Sequence, residues 1–101
     1  MKIQWSPRAL EQAETAFDYI AEDRPRAGEG WLAGLFERVE LLLQFPDQGR
    51  EVPEVGRADL REVIYEERHR IVYRVVSDWI RILLVHPSPV PLSPEELDTL
   101  E

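Results

Sequence analysis

The chain has 101 residues, enough for one modest hydrophobic core but too few for two domains. It has no cysteine and only two histidines, His69 and His86, which excludes disulfide scaffolds, thiolate metal sites, thiol nucleophiles and a structural zinc centre. Its net charge of −8 disfavours non-specific binding to nucleic acid unless the basic groups gather on one face.

Met1 to Trp5 alternates apolar and polar residues and predicts a short strand with one buried face. Ser6-Pro7 then has the form of a helix start, a capping hydroxyl followed by a proline preset for the first helical position. Leu10, Ala13, Phe17 and Ile20 give that helix its apolar stripe, and Asp23-Arg24-Pro25 interrupts it. The next apolar stripe, from Trp31 to Leu43, predicts a second helix from about Arg26 to Phe45, which Pro46 ends. Gly28, Gly30 and Gly34 oppose that helix by up to about 1 kcal/mol each against alanine, and close packing of the two helices in an antiparallel hairpin gives them a purpose. Residues 46 to 58 have no periodicity and read as a loop.

From Asp59 on the period becomes two. Leu60 to Tyr65 predicts a strand, Glu66 to His69 a turn, and Arg70 to Val76 a strand with Arg70, Val72, Arg74 and Val76 on one face. Ser77-Asp78 is a two-residue turn, and Trp79 to His86, apolar on both faces apart from Arg81 and His86, reads as a central strand. Pro87, Pro89, Pro91 and Pro94 stop the sheet. Ser93-Pro94-Glu95-Glu96 starts a last short helix, with Leu97 and Leu100 as its anchors. The expected fold is α+β: a two-helix antiparallel hairpin packed on a small four-stranded, largely antiparallel sheet, with the first strand beside the last. Residues 1–101 form one domain in this reading, 87–101 being a proline-rich acidic tail. The second sheet face is left to the tail or to a partner. No apolar run approaches the ~20 residues of a membrane span, and the first residues lack a charged and apolar leader pattern, so a cytoplasmic chain is expected.

The helix hairpin followed by Pro46-Asp47-Gln48-Gly49-Arg50-Glu51-Val52-Pro53-Glu54, Leu60-Arg61-Glu62, Arg70-Ile71-Val72-Tyr73-Arg74-Val75 and Ile80-Arg81-Ile82-Leu83-Leu84-Val85-His86 resembles the RelE/ParE superfamily of bacterial toxins, and its ParE branch more than its RelE branch. The resemblance runs from the first strand to His86. It implies a toxin of a type II toxin–antitoxin system, of the kind associated with plasmid stabilisation. Such a toxin binds and inhibits DNA gyrase and is neutralised by a cognate antitoxin that folds on binding. The alternatives are a RelE-like ribosome-dependent mRNA endonuclease and a non-toxic member that only binds an antitoxin. Nuclease chemistry needs positive charge at the scissile phosphate and a group that moves a proton. In this resemblance Arg61 and Arg70 occupy positions basic in the nucleases, but Val63 stands at a second lysine position. The tail after His86 has no Arg, Lys, His or Tyr and four acids. The sequence also departs from ParE-like chains, many of which carry arginines where this one has Pro87-Ser88-Pro89.

A four-residue turn at 66–69 would place Arg61 opposite Arg74, and the Ser77-Asp78 turn would place Arg74 opposite Arg81. Such a row of arginines destabilises a sheet unless anions interleave with it, so it is either a stripe for an acidic partner or is neutralised by Glu54, Glu95 or Glu96. The partner-binding candidates are therefore Arg61, Arg70, Arg74, Arg81, His86 and Trp79, the last exposed at a hairpin corner. Glu62 is expected to bond a loop, Tyr73 to be buried with a bonded hydroxyl, His86 to bond locally, and His69 to be solvated. No metal-ligand set, paired carboxylates, Ser-His-Asp array or phosphate loop is present in the pattern, so neither metal nor cofactor is expected. Direct nucleic-acid binding is not expected either. A homodimer or a heterotetramer with the antitoxin are the assemblies left open.

Overall fold

A computed structural model describes residues 1–100; Glu101, the last residue of the expected tail, lies outside the described residues. The elements are β1 (Lys2–Trp5), α1 (Pro7–Asp23), α2 (Pro25–Glu40), a 3-10 turn (Leu41–Leu43), β2 (Arg50–Glu51), β3 (Leu60–Tyr65), β4 (His69–Val76), β5 (Trp79–Pro87) and α3 (Pro94–Asp98). They form one mixed sheet in the order β1-β5-β4-β3-β2, with β1 parallel to β5 and the other pairs antiparallel. The sheet has five strands where the pattern predicts four. The extra strand, β2, lies inside the expected loop and pairs Arg50 with Glu62 and Glu51 with Arg61. Two residues are too few to show an alternation, so periodicity could not reveal it.

Ser6 caps α1 as its position requires: its Oγ accepts Ala9 N–H at 3.0 Å and donates to the Leu83 carbonyl at 3.0 Å, tying the helix start to β5. Arg24 alone separates the helices, with Pro25 opening α2. The glycines of α2 have three different roles. A Cβ on Gly28 would stand 2.8 Å from Ala21 Cβ, so there the two helices touch. Gly34 faces the hydroxyl of Tyr65 on the sheet instead, and Gly30 has open space around it. Gly30→Ala is therefore expected to stabilise the protein by about 0.5–1 kcal/mol, whereas Gly28→Ala destabilises it; thermal melts of the two variants check both signs.

The helix hairpin covers one sheet face, where Ala9, Ala13, Trp31, Leu35, Val39 and Leu42 pack on Tyr65, Ile71, Tyr73, Ile80 and Ile82. The other face is covered as well: the tail folds back so that Leu92 and Leu100, with Leu97 beside them, lie on Val52, Leu60, Val72 and Leu84. Leu92 is an anchor the sequence pattern did not single out. The tail is further joined to α1, where Arg8 donates to Glu96 at 2.6 Å, and to β4, where the Arg74 guanidinium donates to the Leu100 carbonyl. Among the described residues, no helix is long and apolar enough to cross a membrane.

The β3–β4 turn corrects the expected register. Tyr65 pairs with His69, not Arg70, because Glu66 and Glu67 both adopt left-handed backbone (φ 51° and 62°) and close the hairpin in three residues. The slip by one residue moves Arg61 opposite Tyr73, on the helix-facing side, and leaves Leu60 opposite Arg74. The second hairpin is as expected, with Val76 opposite Trp79 and Arg74 opposite Arg81. A bulge at Leu83, between the pairs Val72–Leu84 and Tyr73–Ile82, restores the inward phase for Val85.

Candidate functional site

The densest charge cluster lies on the tail side of the sheet. Glu62, at the middle of β3, is buried, and its carboxylate is shared between two arginines. Arg70 Nε donates to Glu62 Oε1 at 2.8 Å, and Arg50 Nε donates to Oε2 at 2.8 Å. The outer edge of Arg70 forks onto Glu54 of the loop, with Nη1 and Nη2 at 2.8 and 2.7 Å from its two oxygens. Glu54 in turn accepts Leu92 N–H at 3.2 Å, so the tail is fastened to the same network. Charges alternate along Arg50–Glu62–Arg70–Glu54, and all three guanidinium nitrogens of Arg70 are occupied, which leaves it no face for a phosphate.

The bonds from Arg70 hold the Glu54 carboxyl down at about 2, from an ordinary 4.5, and the Glu54 bonds push the Arg70 guanidinium up. A carboxylate whose folded pKa is depressed adds stability at pH above its unfolded value, and that stability drains away as pH falls through the folded one. Acid denaturation should thus show a loss of stability between pH 4.5 and about 2 that Glu54→Gln flattens, read from urea midpoints at stepped pH.

The other candidates separate by what the fold has already done with them. Arg61 Nη1 donates to the Gly49 carbonyl at 2.9 Å, bracing the loop that Tyr73 also holds. The Tyr73 hydroxyl donates to Pro46 O at 2.7 Å and accepts Gly49 N–H at 3.0 Å, and burial pushes its pKa up. Arg74 serves the tail and lies 3.5 Å from Asp59. Asp59 carries no sequence signal beyond its charge. His86 is buried opposite Arg70, and its Nε2 meets Val90 O at 2.9 Å; a carbonyl only accepts, so this nitrogen carries the proton. His69 departs from expectation. It opens β4 rather than sitting in the turn, it is half-buried with its ring 5.2 Å from that of Trp31, and burial lowers its pKa.

Two candidates stay free. Trp79 and Arg81, alternate residues of β5, project from the tail-side face and are exposed. Lys2 and Gln4 of β1 lie opposite them, and Lys2 Nζ stands 5.7 Å from the Trp79 ring centre. The three-arginine row is thus replaced by a basic and aromatic corner of Lys2, Trp79 and Arg81, with exposed Val76 beside it. His86, at the far end of the same strand, is not part of it.

A helix hairpin over one face of a mixed sheet, with Arg70, Arg61 and Arg74 bonded to loop and tail, is a small α+β fold. A chain of the solved structure described as the "Chromosomal ParDE TA system from P. aeruginosa" has this fold. It is 21% identical, the match covers 86% of this chain and 95% of that one, and the TM-score is 0.72. No curated protein matches the sequence. The family described as "ParE toxin of type II toxin-antitoxin system, parDE" matches residues 3–87, and the chain belongs to that family. The match ends where β5 ends, and the tail that covers the sheet lies beyond the matched region.

Proposed function

We propose that this toxin acts by binding rather than by bond cleavage, that its target is DNA gyrase, and that a cognate antitoxin neutralises it in the cytoplasm. The resemblance to ParE-like chains supplies the target, and one observation supports binding over catalysis. The two arginines at nuclease-like positions are both engaged within the fold: Arg70 through all three guanidinium nitrogens by Glu62 and Glu54, Arg61 through Nη1 by the Gly49 carbonyl. An arginine held in three charge-assisted bonds cannot turn to a scissile phosphate without leaving two carboxylates unpaired. The strand-end His86 is buried and bonded, and no Arg, Lys, His or Tyr follows it. The corner of Lys2, Trp79 and Arg81 is the surface on which a partner finds free charge and an exposed aromatic ring.

Induced expression in bacteria, with thymidine and methionine uptake followed together, tests the reading. Filamentous cells that stop taking up thymidine while methionine uptake continues are the expected result. Early loss of methionine uptake with cut mRNA would establish the RelE-like endonuclease instead. Normal growth with folded protein present would make the chain a non-toxic antitoxin-binding member.

A further inference from the structure

The sheet has two outer strands, and they differ. β2 is two residues long, whereas β1 is four residues long and has no strand beyond it. Lys2 N–H donates to Asp78 O at 2.8 Å, and Ser6 N–H donates to Ile82 O at 2.9 Å. Alternate residues of a strand turn their backbone groups to opposite sides. Lys2, Gln4 and Ser6 therefore face β5, and Ile3 and Trp5 each turn an N–H and a C=O outward. Edge strands are ordinarily blunted by a proline, a bulge or an outstretched lysine. β1 has neither proline nor bulge, and Lys2 leans back over β5, its Nζ 5.7 Å from the Trp79 ring centre.

The two flanks of this edge carry different chemistry. On the tail side, Lys2 and Arg81 are exposed, and neither has a salt bridge among the described residues. Arg81 stands opposite Arg74, so the neighbouring strand gives it a like charge rather than an anion. On the helix side, Trp5 meets the exposed ring of Phe36 edge-on at 5.1 Å. Two unpaired cations on a chain of net charge −8 select an acidic partner. A second copy would bring the same cations against themselves across a twofold axis. A DNA backbone offers acceptors only, which leaves the outward carbonyls of β1 unmatched, and two cations are few for it. An acidic protein segment in extended form meets every one of these groups.

We infer that the outer edge of β1 binds an acidic extended segment of gyrase, which adds a strand to the sheet. Its backbone bonds Ile3 and Trp5, its carboxylates lie over Lys2 and Arg81, and an apolar side chain packs against Phe36. Strand alternation sets the pattern of the segment: acidic residues at every second position with apolar ones between them. The inference rests on the gyrase reading above and adds to it the backbone edge and the partner chemistry that the toxin recognises.

The test measures affinity between the full-length chain and purified DNA gyrase in the absence of DNA, for the parent, Gln4→Lys and Gln4→Glu. Gln4 is exposed, lies opposite Arg81 and carries no charge, so the two variants shift the charge of the site in opposite directions. Expected are at least threefold tighter binding for Gln4→Lys, at least threefold weaker binding for Gln4→Glu, and melting temperatures like the parent's. Amide hydrogen exchange of Ile3 and Trp5 should slow at least tenfold in the complex. Gyrase binding with both variants at parental affinity and the two amides unaltered overturns the edge inference while leaving the gyrase reading intact. Self-association of the toxin that Gln4→Lys weakens makes the occupant a second copy and overturns it too. Binding that appears only when DNA is added, with toxin retained by DNA alone, assigns the cations to phosphate and has the same consequence. No binding to gyrase with or without DNA overturns the gyrase reading, and the inference falls with it.

Discussion

Glu62→Ala is expected to unfold the protein or leave it barely folded, although the residue is a single carboxylate on a strand that a sequence reader would take as solvated. The substitution strands Arg70, which is buried at 5% exposure and would keep only Glu54 at its outer edge, and it releases Arg50 as well. Breaking a buried pair by removing one partner costs about 3–5 kcal/mol, a large part of the ~5–15 kcal/mol that holds a domain of this size. Removing both charges differs in kind. Glu62→Met with Arg70→Met removes both buried charges and leaves unpaired only Glu54 and Arg50, which reach water, and such replacements of a buried pair are often neutral or stabilising. Urea unfolding of the single and double variants should therefore show a deep loss for Glu62→Ala that the double variant largely avoids. Equal losses in both would mean that the network is not what holds the loop and tail.

Leu100→Ala should cost about 2–5 kcal/mol, the usual range for a fully buried leucine, even though it lies one residue from the end of the chain. Chain ends are ordinarily frayed, and truncating them ordinarily costs little. Here Leu100 is 1% exposed over Leu60, Val72 and Leu84, and Arg74 grips its carbonyl. For a domain of about 100 residues each kcal/mol shifts the melting temperature by roughly 4–8 °C, so a drop of at least ~10 °C is expected. Leu97→Ala, partly buried at the rim, should show a smaller drop. A Leu100→Ala melt indistinguishable from the parent would mean that the tail does not cover the sheet in solution.

These two residues also mark where the sequence was legible and where it was not. Long periodic stretches marked α1, β3, β4 and β5, because an apolar stripe or an alternation is repeated enough times to be unambiguous, and β1 lies beside β5 as expected, although its parallel direction had no signal in the pattern. Ser6 and Ser93 marked helix starts through cap chemistry, and both hydroxyls accept the backbone amides expected of them. The two-residue β2 and the fold-back of the tail left no such signature, since each depends on contacts made far along the chain. The arginines fared least well for a definite reason. Strand facing has period two, so one residue of error in a turn inverts every assignment beyond it, and two successive glutamates in left-handed backbone produced that error. Arg61 consequently left the expected row, and Glu54, considered only as a counter-charge, became the hinge between Arg70 and the tail. The free corner of Lys2, Trp79 and Arg81 was half visible: Trp79 and Arg81 were candidates, while Lys2 joined them only through the parallel pairing of β1.

In the proposed function the arginines at nuclease-like positions serve the fold and the toxin works by binding. Purified protein added to DNA gyrase and supercoiled plasmid, with a parallel reaction on ribosomes carrying mRNA, tests it most directly. Expected are loss of supercoiling and accumulation of gyrase-cleaved plasmid, intact mRNA, and an effect on gyrase that weakens at least tenfold in Arg81→Glu at the free corner. Cut mRNA with gyrase unaffected, abolished by Arg61→Ala or Arg70→Lys in a protein that still folds, would contradict it.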